Sequence, residues 1–293
     1  MGRLLLLDVG GTFIKYAVSE EDGRRLSPDS IRQFPTNAEE DAEGFLNDLR
    51  SIISQAREEG ELERAGLCIG GPFDFATGVS LMEHKFRALY QRSLKPPFDE
   101  AGLPISFLHD STAFMLGEYH EGALQGEKNA CCVMLGTGLG FAWVRDGKIC
   151  LNERQTPSLA LWKTPYLDGI AEDYVSTRAI QREFGEALPV KEIATLARSG
   201  NEAAQRAFRT MGAHLTVILR DVVARLGCEK FVLGGQISKS ADLLGLELSI
   251  PWSVAERPDD TALRGICQYV RLGRENCTQF VPLTFERIDA GER

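Results

Sequence analysis

The chain has 293 residues, 43% of them hydrophobic and 26% charged, with 12 Pro and 29 Gly. That composition excludes a disordered chain, a collagen and a coiled coil, and the length fits two ordinary domains or one large one. Its 42 Asp plus Glu against 33 Lys plus Arg give a net charge of −9; with no basic patch to override it, neither nucleic acid nor membrane is expected as a partner.

No apolar run approaches the length of a membrane-spanning helix, and Leu4–Leu7 is too short for a secretory leader. The Met-Gly start has Leu6 where a myristoylation signal needs Ser or Thr. The cysteines, Cys68, Cys131, Cys132, Cys150, Cys228, Cys267 and Cys277, show no C-x-x-C spacing and lie mostly in apolar segments. They read as small core hydrophobes of a reducing, cytoplasmic compartment, with no disulfide and no zinc site.

Leu4–Asp8 predicts a strand that meets Gly10–Gly11 and returns through Thr12–Val18 as a hairpin, with Asp22–Gly23 opening the next turn. Residues 38–59 carry Phe45, Leu49, Ile52, Ile53 and Ala56 at helical spacing. Leu67–Ile69 predicts a short strand running into Gly70–Gly71–Pro72, and Ile105–Leu108 another, ending at His109–Asp110. Ser111–His120 reads as a helix with Ser111 near its cap. Ala130–Leu135 predicts a buried strand, followed by the turn Gly136-Thr137-Gly138-Leu139-Gly140, a strand Phe141–Val144 and a tight turn at Asp146–Gly147. Helices are expected over 171–183, 190–198 and 202–226, then a strand Phe231–Leu233 stopping at Gly234–Gly235, and a last helix over 259–270.

The strand–glycine turn–strand unit thus occurs twice, and helices follow it each time. This predicts an α/β fold of two duplicated lobes, each opening with a hairpin whose glycine turn faces a shared cleft. The boundary falls near 118–128, giving an N-terminal lobe of residues 1–120 and a C-terminal lobe of 121–293, with the final helix free to pack back onto the first.

Glycine turns bring backbone N–H groups close to an anion. Asp8-Val9-Gly10-Gly11-Thr12 adds an acid and a hydroxyl, Lys15 follows as a phosphate partner, and Gly136-Thr137-Gly138 repeats the glycine–hydroxyl arrangement. Each alone is compatible with a plain hairpin turn; two facing loops suit a nucleoside triphosphate. No G-x-x-x-x-G-K-[ST] occurs, and a strand rather than a helix follows Gly136-x-Gly138-x-Gly140, so neither a P-loop nor a dinucleotide fingerprint is present.

DVGGT, LGTGLG and VLGGQIS, in that order, resemble the two phosphate motifs and the adenosine motif of the actin-like ATPase superfamily. Within it the chain resembles the ROK family of sugar kinases and sugar-responsive repressors, with supporting stretches at 67–81, 108–123, 144–149, 168–180 and 259–270. The resemblance implies a duplicated actin-like ATPase (ribonuclease H-like) fold, with two lobes around a nucleotide and sugar cleft. It implies ATP and Mg2+, a sugar substrate and a homodimer. It implies Asp110 as the catalytic base and Asp8 as the magnesium residue, acting through water. Gly10, Gly11, Thr12, Lys15, Gly136, Thr137 and Gly138 would meet phosphates, and Gly234, Gly235 and Gln236 the adenosine. Gly71, His109 and Glu172 match sugar-contact positions by block, and His84 and Lys85 lie in the loop of further sugar contacts.

The residues themselves allow plainer roles. Asp110 stands between a buried strand and a helix, where an acid reaches a cleft mouth or caps a helix. Asp8 also suits turn amides, Lys15 the solvent side of a strand, His84 a surface, and Glu172 a helix start. Gly234 and Gly235 also suit a strand-to-helix turn.

The chain departs from the family over 150–168 (CLNERQTPSLALWKTPYLD), which lacks the glutamate–glycine–histidine motif and the cysteine-rich zinc signature. Two sugar contacts go with them. Gly140-Phe141-Ala142 carries less glycine than the family pattern, and 271–293 matches nothing in it.

Three functions follow. The first is an ATP-dependent kinase of a hexose or hexose derivative. The second is a non-catalytic sugar sensor; because the first block begins at Leu4, no DNA-reading module is expected before it. The third is an actin-like kinase for a non-sugar acceptor.

Overall fold

The computed structural model describes residues 2–11, 13–20, 26–35, 41–83 and 85–290. Leu4 to Leu7 are fully buried because β1 (Arg3–Val9) is the middle of a sheet covered on both faces. β2 (Phe13–Val18) folds back beside it, followed by β3 (Arg32–Pro35), the helix α1 (Ala42–Arg57) and β4 (Leu62–Ile69). A small hairpin, β5 (Phe73–Asp74) with β6 (Val79–Ser80), precedes α2 (Pro96–Glu100), β7 (Ile105–His109) and α3 (Asp110–Glu121). The first sheet runs β3-β2-β1-β4-β7; β1 is antiparallel to β2 and parallel to β4, and β4 is parallel to β7.

The second half repeats this plan. β8 (Ala130–Leu135), β9 (Leu139–Arg145) and β10 (Lys148–Leu151) form an antiparallel meander, and a two-strand hairpin follows, β11 (Pro165–Tyr166) with β12 (Gly169–Ile170). Helices α4 (Ala171–Tyr174), α5 (Thr177–Phe184), α6 (Val190–Arg198) and α7 (Glu202–Leu226) lead to β13 (Lys230–Gly234) and β14 (Trp252–Val254). β13 is parallel to β8 and to β14. The chain ends with α8 (Thr261–Leu272), α9 (Arg274–Cys277) and β15 (Thr278–Phe280), which adds to β10 and completes the order β14-β13-β8-β9-β10-β15.

Three apolar clusters hold these layers together. One packs α1 and its neighbours on the outer face of the first sheet, and one packs α5, α6 and α7 on the outer face of the second. The third lies between the sheets, joining Leu4, Leu6 and Cys68 to Ala130, Cys132 and Val232 through α3 and α8. The two helices cross so closely that a Cβ on Gly265 would stand 1.7 Å from the Ala113 carbonyl oxygen, and one on Gly117 2.1 Å from that of Thr261. Glu118, almost fully buried here, accepts from the Thr261 hydroxyl at 3.2 Å, while Arg264 pairs with Glu121 and Asp260, both at 2.8 Å. Among the described residues no helix is long and apolar enough to cross a membrane.

Several boundaries differ from the sequence expectation. β4 begins at Leu62, five residues early, because Glu63 and Arg64 interrupt the apolar pattern at its exposed start. α3 begins at Asp110 with His109 at its cap, so Ser111 is not the cap residue. The helix expected over 171–183 is broken: Ser176 is extended, with φ −162°, and two short helices result. The last helix starts at Thr261 rather than 259. The unmatched tail is a working part of the second half, since Val281, Phe285 and Ile288 are buried in its core. The turn expected at Asp22–Gly23 lies outside the described residues.

Candidate active site

The parallel strands β1, β4 and β7 end side by side, with Asp8 paired to Cys68 and Ile69 paired to His109. Ligand crevices form outside such carboxyl ends. The Asp8 side chain makes one hydrogen bond among the described residues, the Cys68 thiol donating to Oδ1 at 3.6 Å. Burial pushes its pKa up, Lys15 lowers it, and the negative charge of Asp110 raises it again.

Asp110 is held through a single oxygen. Its Oδ1 accepts from the Ser111 N–H at 2.6 Å and the Ser111 hydroxyl at 3.2 Å, and lies 3.0 Å from His109 Nδ1. Oδ2 has no partner among the described residues and faces Gly70, where a Cβ would stand 3.2 Å away. Burial alone would raise the pKa; the charge and hydrogen bond of His109, then Lys85 and the Ser111 N–H, outweigh it and hold the carboxyl well below the ordinary carboxylate range. The side chain is still 46% accessible, so the carboxylate is open to solvent. Gly71 lies against the other edge of His109, its Cβ position 3.6 Å from Nε2. Lys85 is exposed, and its charge reaches both Asp8 and Asp110.

Each glycine bend is open at one position. A Cβ on Gly11 or on Gly136 would meet nothing within 4 Å, so packing does not explain those two glycines, whereas one on Gly10 would stand 2.9 Å from the Phe13 carbonyl oxygen and one on Gly138 2.6 Å from Glu172 Oε2. In the second bend the Gly136 N–H donates to the Gly138 carbonyl at 3.1 Å, and the N–H groups of Thr137 and Gly138 have no backbone acceptor among the described residues. The bend is held from behind. Thr177 donates to the Gly136 carbonyl through its N–H at 2.8 Å and its hydroxyl at 3.0 Å. Glu172 Oε2 accepts the Leu139 N–H at 2.9 Å, and Oε1 pairs with Arg178 at 3.0 Å. The break between α4 and α5 is what lets both Glu172 and Thr177 reach the bend. Glu172, matched above to a sugar position, therefore has both oxygens engaged.

Gly234 and Gly235 answer to packing. A Cβ on Gly234 would stand 2.2 Å from the Phe114 ring; Gly235 has φ +81°, and its Cβ would stand 2.3 Å from the Leu135 carbonyl oxygen. Beside them Gln236 Nε2 donates to Asp259 Oδ1 at 3.3 Å, Lys239 pairs with Oδ2 at 3.2 Å, and the Lys15 ammonium donates to the Asp259 carbonyl at 2.8 Å. Asp259 thus joins β2 of the first sheet to the segment after β13 of the second. Ser111 Oγ stands 3.0 Å from the Cβ position of Gly140, so the Asp110 corner adjoins the second hairpin. Thr12 and His84 lie outside the described residues.

The residues fit a magnesium nucleotide. Asp8 and the free oxygen of Asp110 are hard, incompletely neutralised donors, and the open bends offer N–H groups. Among the described residues no group of three or more His, Cys, Asp or Glu is placed to hold a metal; one or two carboxylates with several waters is the usual protein share for Mg2+.

The family model for the ROK family matches residues 4–153 and 168–271. The chain belongs to the ROK family. It is 24% identical to a glucokinase of Streptomyces coelicolor, over 83% of this chain and 85% of that one. An N-acetylmannosamine kinase of Shigella flexneri is also 24% identical, with 83% and 86% covered. A ROK glucokinase of Streptomyces griseus, solved with glucose and AMPPNP, superposes with a TM-score of 0.70 at 23% identity, covering 93% of this chain and 100% of that one. The fold is the actin-like ATPase fold of ROK sugar kinases, and the chain is an enzyme of the family's kinase kind.

The ROK match lapses over the stretch without the glutamate–glycine–histidine motif. There Trp143 Nε1–H donates to Ser158 Oγ at 2.7 Å, Asn152 accepts from the Arg154 N–H at 2.9 Å, and Leu159, Leu161 and Tyr166 enter the core. Sequence reasoning missed Gly70, Thr177, Arg178, Lys239 and Asp259. Gly70, Thr177, Arg178 and Asp259 lay inside the stretches that resemble the family, but their use depends on partners distant in sequence.

Proposed function

We propose that this protein is an ATP-dependent kinase that transfers the γ-phosphoryl group to a hydroxyl of a hexose or hexose derivative. The observation that carries the reading is Oδ2 of Asp110, without a partner among the described residues and open to solvent beside Gly70, on a corner whose Ser111 hydroxyl stands against Gly140 of the second hairpin. The sugar-kinase relatives support it, as does the ATP analogue in the Streptomyces griseus structure.

Asp110 orients the acceptor hydroxyl through Oδ2 and takes its proton there. A low-pKa carboxylate is a weak base, and that suffices: in a loose phosphoryl transfer the nucleophile needs positioning more than early deprotonation. His109 and the Ser111 N–H fix the other oxygen, so the acid cannot swing away from the hydroxyl. Gly71, His109 and Lys85 face the sugar. The N–H groups of Gly11, Thr137 and Gly138 meet phosphate oxygens, and Gly234, Gly235 and Gln236 border the adenosine. Asp8 would hold Mg2+, and the ion when bound would supply charge neutralisation at the phosphates.

A coupled ADP-release assay over hexoses, amino sugars and N-acyl sugars tests the proposal. Sugar-dependent release that disappears in Asp110→Asn is the expected result, and silence across the panel sinks it. One observation favours a second reading: the family match lapses over 154–167, where two sugar contacts are missing. Calorimetry showing sugar binding without nucleotide binding would make the protein a sensor; release with a non-sugar alcohol alone would change the acceptor.

A further inference from the structure

Arg178 stands beside the second bend without being needed to hold it. It is the second residue of α5, its side chain is 66% exposed, and its guanidinium pairs with Glu172 Oε1 at 3.0 Å. Glu172 is only 19% exposed, and its other oxygen holds the Leu139 N–H at 2.9 Å. A carboxylate tied to the bend therefore fixes the guanidinium against the bend. Arginine offers five N–H donors in a planar fork, and Nη2 alone is engaged here by a described partner. An exposed ion pair of this kind adds little to stability.

The charge balance explains its presence. Glu172 braces the bend but brings a negative charge to a place meant for a polyphosphate. The nearby cations are occupied elsewhere: Lys15 and Lys239 bind Asp259, and the charge of Lys85 falls on Asp8 and Asp110. Among the described residues no other Lys or Arg bonds to Glu172 or to the second bend.

We infer that Arg178 is a phosphate-binding residue, its fork aimed by Glu172 at the polyphosphate tail in the second bend, where it neutralises charge on the γ-phosphoryl group during transfer. Glu172 is its positioning residue. The inference rests on the kinase reading above.

The test uses the full chain and reads both binding and turnover. Arg178→Ala should weaken Mg-AMPPNP binding about tenfold and leave adenosine binding unchanged, since only the charge-assisted contacts are lost. Its kcat should fall on the order of a hundredfold, as for removal of a preorganised donor to developing charge, with the sugar KM unchanged. Added guanidinium should restore part of that turnover, and Arg178→Lys should recover binding better than kcat, because the ammonium keeps the charge and loses the fork. Glu172→Gln should lower kcat more than it weakens AMPPNP binding. An Arg178→Ala protein with wild-type AMPPNP affinity and kcat overturns the inference while the kinase reading stands. Arg178-dependent AMPPNP binding in a wild type that phosphorylates nothing overturns the kinase reading and the transfer role with it, and leaves only the phosphate-binding role of Arg178. A wild type that binds no AMPPNP overturns both.

Discussion

The two sheets share one topology and divide the chemistry unequally. β3-β2-β1-β4-β7 and β10-β9-β8-β13-β14 have the same order and the same strand senses. Asp8 precedes Gly10 by two residues at the end of β1; Met134 precedes Gly136 by two at the end of β8. Asp110 follows β7, whereas Ala255 follows β14. Both halves place two glycines at the end of the strand beside the central one, Gly70–Gly71 and Gly234–Gly235. The first half kept acids and the second has neutral side chains at the equivalent places. Like charges close together repel, so strand ends without these acids fit the proposed polyphosphate, and the half with the carboxylate fits the proposed acceptor hydroxyl.

The strongest way to break this division is to neutralise an acid. Asp110→Asn should lower turnover by about 10²–10⁴, the usual worth of a general base, in a protein that stays folded. The native pH profile sharpens the point. The carboxyl of Asp110 is held well below its ordinary range, and a depressed pKa keeps an acid ionised as the pH falls. Its protonation should therefore contribute no activity loss between pH 5 and 7 in the wild-type profile, by the reference range for carboxylates. An acid limb in that window that vanishes in Asp110→Asn would contradict the assignment.

Asp8→Asn should have opposite effects on activity and stability. Activity at limiting Mg2+ should fall by at least about tenfold, because the charged residue proposed to act on the metal's waters is gone. Stability should hold or rise. Burial raises the Asp8 pKa, so the folded state disfavours its charge at neutral pH, and an amide removes that penalty. Thermal unfolding beside a Mg2+ titration reads both, and a lowered midpoint would show that Asp8 is structural.

Most of the fold was legible because its signals are local. The glycine hairpins, the 190–198 and 202–226 helices and the strand before Asp110 follow from apolar spacing and turn residues within one window. Asp110 was legible through its strand–helix corner and the family block around it. What was hidden depends on tertiary partners. The break at Ser176 is set by Thr177 reaching back to Gly136, and β15 is a strand because β10 offers an edge. Asp259 looks like one of two adjacent acids before a helix; only the folded chain brings Lys15, Gln236 and Lys239 to it. The sequence motif treated Gly136 and Gly235 alike, and the structure separates them by what stands next to each.

That separation gives a stability contrast. Gly235→Ala puts a methyl 2.3 Å from the Leu135 carbonyl oxygen in a left-handed conformation and should cost about 3 kcal/mol or more, by clash and strain together. Gly136→Ala meets open space and should change stability by less than about 1 kcal/mol, yet weaken Mg-AMPPNP binding by crowding the bend. Equal destabilisation in the two variants would mean that the second bend is glycine for packing after all.

The smallest effect should come from Asp259, the acid that reaches the cleft from beside the neutral half. Its side chain is 62% exposed and shares Lys239 and Gln236, so Asp259→Asn should leave stability within about 0.5 kcal/mol, as for most exposed pairs. Removing the charge frees Lys239 for the polyphosphate and takes away a repelling carboxylate. Both act in one direction: Mg-AMPPNP should bind about two- to fivefold more tightly at low salt, with the gain fading as salt screens it. Adenosine, which has no phosphate, should bind as before. A variant that binds AMPPNP more weakly would mean that the clasp from Lys15 to Asp259 to Gln236 shapes the nucleotide site, and that geometry outweighs charge on this side of the cleft.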